Sequence, residues 1–244
     1  VPGYERQPVL RPGCEAVAAY HLVYQRIDAL LRDRDQIAEL AVPACPAWTV
    51  RETLAHLTGL AQDIVSFNLD GIGTEAWTRA QVDRLAEKTV DELLDLWSEA
   101  IDTVIERVGQ DGLEAPAAQL VFDSLTHEHD IRGALGQPGT RTDDPAFAVA
   151  VEFLMTRLDG MARQDGLLVL MLNTPTTGSV QLGEPATATD LLALSISDFE
   201  TLRAFGGRRS VRQLSALPWR GDPADLLPTL GNESIRPPRN DLIE

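Results

Sequence analysis

"FDSLTHEHDIRGALG", residues 122–136, decides how the whole chain is read. On a helix, Asp123 and His127 stand four residues apart and Asp130 follows three later, so all three project within one narrow arc. Leu120, Ile131 and Ala134 share or border that arc, which aims two acids and an imidazole at apolar neighbours. Carboxylates buried in such a place need a cation or hydrogen-bond donors, because an unpaired charge is too costly to desolvate. His129 falls roughly opposite, beside Glu128 and Arg132, and reads as a surface residue. Spacing alone leaves two readings open, a metal site and a simple ion pair along a polar helix face.

The helix that carries this stretch is expected over about Ala117 to Leu135, closed by Gly136 with Pro138 beyond. Upstream, Val17, Tyr20, Val23, Tyr24, Ile27, Leu30 and Leu31 repeat at helical spacing, predicting a first long helix from Cys14 to about Leu40. Two prolines in "AVPACPAW" force an extended link, and Thr49 with Glu52 forms a capping box that starts a second helix running to about Phe67. After a Gly-containing loop and a polar stretch, Leu93, Leu94, Trp97, Ile101, Val104, Ile105 and Val108 predict a third helix from about Thr89, stopped by "GQDG". A fifth follows the central one over "PAFAVAVEFLMTRLDGMARQ", residues 145–164. Four or five long helices make a bundle.

Beyond Asp165 the texture changes. "GLLVLML" and "GSVQL" are short β-like runs, "ATDLLALSISDFETLRAFGG" (188–207) reads as helical, and a short helical segment follows. The reading is therefore a mainly α protein, with residues 1–165 a helical bundle and 166–244 a small α+β domain. Its polar, Pro-broken tail after about Leu230 is expected to be poorly ordered or draped on the surface.

Composition narrows the function. An apolar fraction of 44% over 244 residues suits a globular protein with a sizeable core. Lys plus Arg number 21 against 37 Asp plus Glu, a formal charge of -16 that would repel a phosphate backbone, so nucleic acid is not an expected partner. No run of eighteen apolar residues and no basic, apolar leader is present, so membrane insertion and secretion are not indicated and a cytoplasmic location is expected. Cys14 and Cys45 are far apart and form no Cys-x-x-Cys, which removes a thiolate zinc knuckle and makes a disulfide framework improbable. A metal in this chain must then be held by imidazole and carboxylate.

Asp123 and His127 supply two ligands, and a four-coordinate divalent ion wants a third from elsewhere. His56, on the second helix in line with Leu60, Ile64 and Phe67, faces the core that a bundle places beside the central helix. His21, on the first helix, is not singled out by its neighbours.

The segment "VPACPAWTVRETLAHLTG" (42–59) resembles the Cys-Pro-x-Trp-Thr-Val…His motif of the mycothiol-dependent maleylpyruvate isomerase family, a branch of the DinB-like metal-binding bundles. "DSLTHEHDIRGALGQPG" (123–139) resembles that family's second signature, and "FGGRRSVRQLSALPWRGDP" (205–223) its closing Gly-Arg segment. The resemblance covers nearly the whole chain. It implies an N-terminal DinB-like four-helix bundle holding a divalent metal, usually zinc, followed by a sterol-carrier-like α+β domain. It matches His56, Asp123 and His127 to the metal ligands, the family's isomerase having Glu where this chain has the shorter Asp123. Asp130 matches the acid after the second histidine, in a supporting role behind the ligands.

The resemblance further implies a low-molecular-weight thiol, mycothiol-like, as cofactor or co-substrate, and a small-molecule electrophile as partner. A metal-activated thiolate would serve either S-transfer or cis-trans isomerisation. Arg208 matches the Gly-Arg position and would clamp a substrate carboxylate bidentately, with Arg209 as the alternative. Two other functions stay open on the sequence: a thiol-independent lyase or cyclising enzyme of the same fold, and a non-catalytic bundle that binds a metal or small ligand.

Overall fold

The computed structural model describes residues 6–164, 169–184, 191–230 and 235–244. By contact the chain divides into two compact units, one of residues 13–139 and one of residues 1–12 with 140–244.

The first unit is a helical bundle. Its helices are α1 (Gly13–Leu31), α2 (Val50–Ser66), α3 (Glu75–Arg84), α4 (Val90–Val108) and α5 (Glu114–Leu135). α1, α2, α4 and α5 form the four-helix core, with α2 against α4 and α1 against α5, and the short α3 lies along α2. Their apolar stripes meet around Trp97, Tyr20, Leu54, Leu57, Leu93 and Ile131, all but removed from solvent. Trp97 donates its indole N–H to the Tyr20 hydroxyl at 2.7 Å, so the largest core side chain leaves no orphaned donor. Capping boxes at Thr49–Glu52 and Thr89–Glu92 start α2 and α4, each satisfying backbone donors that a helix start otherwise leaves open. Gly136, at φ 62, closes α5 in the left-handed conformation that a side chain disfavours.

Three local readings change. α1 stops at Leu31 rather than near Leu40, where the apolar repeat gives way to "RDRD" and Asp33 turns to φ 58. A single 3-10 turn, Asp35–Ile37, follows. The stretch read only as polar contains α3, started by the Thr74 cap. The link at 42–48 is not simply extended: Cys45 N–H bonds Val42 O and Trp48 N–H bonds Cys45 O, and Ala41 pairs with Thr49 across its mouth. The prolines remove donors at positions these turns do not use.

The second unit holds α6 (Pro145–Gln164), β1 (Val169–Thr174), β2 (Gly178–Leu182), β3 (Leu191–Ser195), α7 (Asp198–Phe205), α8 (Val211–Ser215), β4 (Trp219–Arg220) and α9 (Leu227–Leu230). The strand order is β2-β1-β3-β4, with β1 antiparallel to β2, parallel to β3, and β3 antiparallel to β4. α6 packs on α7 and β2, so by contact it goes with the sheet, whereas the sequence pattern draws the boundary after it, at 165. The N-terminal arm joins the same unit through the Arg6–Val180 bridge and through Arg6 paired with the fully buried Glu152.

The helical reading of 188–207 is replaced by β3 and α7. "LLALS" enters the sheet between β1 and β4, and the Ser197 cap then starts α7. Residues 166–168 of the first β-like run, 188–190 of this segment and 231–234 of the tail lie outside the described residues. The described tail is pinned. Glu244 pairs with the buried Arg203 and with Arg209, and Gln213 donates to Leu242 O at 2.7 Å.

Candidate metal centre

α2 brings His56 and α5 brings Asp123 and His127 to one point inside the first unit. His56 Nε2 lies 3.3 Å from Asp123 Oδ2, and His127 Nε2 lies 3.8 Å from Asp123 Oδ1. One donor atom from each of the three residues lies within 4.8 Å of the others. Ligands about 2.0–2.2 Å from a tetrahedral zinc stand roughly 3.4 Å from one another, so the trio needs only small adjustments to close on one ion. Both imidazoles are buried, while the Asp123 side chain keeps 29% of its exposure. The carboxylate side of the group therefore faces a route to solvent.

The far nitrogens of the two rings fix which atom can ligate. Gln81 donates its Nε2 to Asp63 Oδ2 at 2.8 Å and turns its Oε1 to His56 Nδ1 at 2.8 Å. A carboxylate only accepts, so the Gln81 amide cannot be the other way round, and His56 Nδ1 must carry the proton. That leaves the Nε2 lone pair aimed at Asp123. Asp63 is itself held by Asn68 and Arg84. His127 Nδ1 lies 3.0 Å from Asp130 Oδ2, an acceptor that favours the same tautomer, with the Asp123 carboxylate on the side of the other nitrogen. Such anchored imidazoles are what a metal site uses to orient its histidines.

Gln81 reaches His56 because Gly59 has no side chain. A Cβ there would stand 2.6 Å from Gln81 Cβ, inside any real contact distance. On the other side Trp48 covers both rings, at 5.2 Å from His56 and 5.8 Å from His127 between centroids. The same turn carries Cys45, whose Sγ lies 3.4 Å from Asp130 Oδ2 and 4.0 Å from His127 Nδ1. Cys45, Gln81 and Trp48 were not singled out by spacing. Cys45 and Trp48 approach only because the 42–48 link folds back on itself, and Gln81 sits on a helix that the polar pattern hid.

Behind the trio, Glu128 is buried and takes a bidentate ion pair from Arg26 with a further bond from Arg132. His129, read from phase as a surface residue, is only 4% exposed. α1, α2 and α4 all pack against α5, and the burial of His129 overturns the surface reading. His21 stacks on Tyr24 and joins neither candidate metal group among the described residues. Burial pushes the Tyr20 phenol well above its usual value, the Trp97 hydrogen bond opposes this, and the Asp123 charge adds to it.

Arg208 belongs to the second unit, where its guanidinium donates to Gly206 O at 3.2 Å. Arg209 is buried between Glu200 and Glu244. No helix of the described residues is long and apolar enough to cross a membrane.

Fold and donor set together define a helical-bundle protein with a candidate two-histidine, one-carboxylate metal centre and an additional α+β unit. Residues 20–136, which hold every donor of that centre, match the family model described as the mycothiol maleylpyruvate isomerase N-terminal domain. Two solved structures share the fold: the mycothiol-dependent maleylpyruvate isomerase and a histidine-to-alanine mutant of it. Each is 15% identical, with a TM-score of 0.52 over 81% of this chain and 90% of the other. No curated protein matches the chain.

Proposed function

We propose that the chain is a metal-dependent enzyme of the maleylpyruvate isomerase kind, activating a mycothiol-like thiol for attack on a small electrophile. The observation that carries this is the convergence of His56 Nε2, His127 Nε2 and the Asp123 carboxylate, with Gln81 fixing His56 in the ligating tautomer and Asp130 favouring it for His127. Two neutral imidazoles and one carboxylate leave a divalent ion, zinc by donor preference, with net positive charge and an open position, which supplies ionisation of a thiol near neutral pH. Asp123, as the half-exposed member, faces the side from which thiol and substrate arrive. Trp48 and the buried rings beside it keep water from the other side and favour the thiolate as nucleophile over hydroxide.

The thiolate forms a carbon–sulfur bond to an enone, the former double bond rotates, and expulsion of the thiolate restores it in the other geometry. On a carbon bearing a leaving group the same attack gives S-transfer. An anionic substrate calls for a cation. Arg208, at the Gly-Arg position of the resemblance, is the proposed clamp, and Arg209 is held by Glu200 and Glu244.

The test is turnover of a cis-enone acid by zinc-loaded protein with and without a low-molecular-weight thiol, with mass spectrometry for thiol adducts. The expected result is isomerisation or adduct only when metal and thiol are both present, abolished by the His56→Ala, His127→Ala double variant. Turnover that ignores the thiol would overturn this reading in favour of thiol-independent chemistry.

A further inference from the structure

We propose that Cys45, His127 and Asp130 form a second cation site, selective for thiophilic ions, whose occupation takes His127 away from the first. Cys45 Sγ, His127 Nδ1 and Asp130 Oδ2 form their own group within 4.8 Å, separate from His56 and Asp123. The pair distances are 3.0 Å between His127 and Asp130, 3.4 Å between Cys45 and Asp130, and 4.0 Å between Cys45 and His127. Around a tetrahedral ion, sulfur and nitrogen ligands stand about 3.6 Å apart and nitrogen and oxygen about 3.4 Å, so this group is as close to closure as the first. Asp130 is almost fully buried and Cys45 half-buried, so the carboxyl group lies deeper than the cysteine. The thiolate selects for soft cations such as cadmium or cuprous ion.

The two sites use opposite nitrogens of one ring. A neutral imidazole has one lone pair available for ligation, on whichever nitrogen lacks the proton. With the proton on Nδ1, facing Asp130, the lone pair serves His56 and Asp123. For an ion at Cys45 the ring must shift tautomer: Nδ1 gives up its proton to solvent, Nε2 takes one up from solvent, and the Cys45 thiol releases one on becoming a thiolate, a net loss of one proton. The new Nε2–H then faces the Asp123 carboxylate, whose Oδ1 lies 3.8 Å away and needs only a small shift to accept it. One neutral ring cannot do both, so a soft ion captured at Cys45 empties the first site of a ligand. The exclusion, though not the Cys45 site itself, rests on the metal reading of His56, Asp123 and His127.

The experiment adds cadmium alone to the reduced, metal-free full chain and follows thiolate-to-metal charge-transfer absorbance in the near ultraviolet. Wild type and Cys14→Ser are expected to develop the same saturating band, Cys45→Ser to lose it, and His56→Ala to keep it. Prior zinc should move the cadmium midpoint upward in wild type and leave it unmoved in His56→Ala. No band in wild type, or a band that survives Cys45→Ser, overturns the site. A midpoint indifferent to zinc in wild type, or one equally zinc-dependent in His56→Ala, overturns the exclusion. Failure of the functional reading shows separately, as zinc binding unchanged by His56→Ala.

Discussion

Gln81→Leu is the substitution that most directly separates a metal centre from a buried polar cluster. Gln81 is fully buried and makes two bonds of 2.8 Å, accepting from His56 Nδ1 and donating to Asp63 Oδ2. Leucine keeps much of the volume and removes both. Loss of a partner that orients a ligating histidine costs about 10- to 100-fold in metal affinity. That range corresponds to about 1.4–2.8 kcal/mol. Folding stability should fall by about 1–3 kcal/mol as well, because His56 Nδ1–H is left buried without its acceptor, while Asp63 retains Asn68 and Arg84. Gln81→Glu divides the two effects. A carboxylate still accepts from His56 and makes it a better ligand, so zinc binding is retained, but it stands against Asp63 and costs stability. Competition for zinc with a chromogenic chelator, beside urea unfolding of the metal-free protein, reads both quantities. If Gln81→Leu binds zinc within twofold of wild type while its stability drops, the His56 tautomer is not set for a metal and the argument for the centre collapses.

His129→Ala should cost about 1–3 kcal/mol in urea unfolding, as for other buried polar groups that lose their bonds, with zinc content unchanged. A neutral outcome would restore the surface reading. Gly59→Ala drives a Cβ to within 2.6 Å of Gln81 and should cost about 1–3 kcal/mol by overpacking. It should also weaken zinc binding in the same direction as Gln81→Leu, and undiminished zinc affinity counts against the Gly59–Gln81–His56 link. The fold keeps the Tyr20 proton where the unfolded chain gives it up, so the stability from this group is complete below about pH 10 and falls as pH rises above it. Tyr20→Phe should flatten that alkaline decline in urea midpoint while costing about 1–3 kcal/mol at neutral pH, where the Trp97 N–H loses its acceptor. An equally steep decline in the variant would assign it to other groups.

Elements whose apolar repeat and caps agree were legible from sequence. α2 begins after Thr49, where its capping box places it, α4 begins after Thr89, where its apolar repeat places it, and α5 ends at Gly136. The misreadings share a cause in tertiary pairing. "LLALS" is neutral between helix and strand until β1 and β4 flank it, and the polar face of α3 gives no periodic signal, because what it buries is Trp77, Gln81 and Val82 against α2. The 42–48 link looked extended because prolines report only the donors they lack, not the turns that their neighbours close.

The candidate centre divides along the same line. Asp123, His127 and Asp130 share one helix, so their spacing is geometry, and His56 could be placed by its core-facing phase. What turns three polar side chains into a site for a cation is the other nitrogen of each ring. For His127 it is answered by Asp130 on the same helix, with Cys45 within reach at a separation of 82, but for His56 it is answered by Gln81, remote in sequence at a separation of 25. A helix phase cannot contain that information, because it specifies direction and not partner. The tautomer does contain it: once Asp63 fixes the Gln81 amide, the proton on His56 follows, and with it the lone pair that faces Asp123. For His127 the same logic leaves a choice, since Asp130 on one nitrogen and Asp123 on the other each accept a proton. His56 is thus committed to one side by its surroundings while His127 can serve either, and any exchange between the two cation positions must turn on His127.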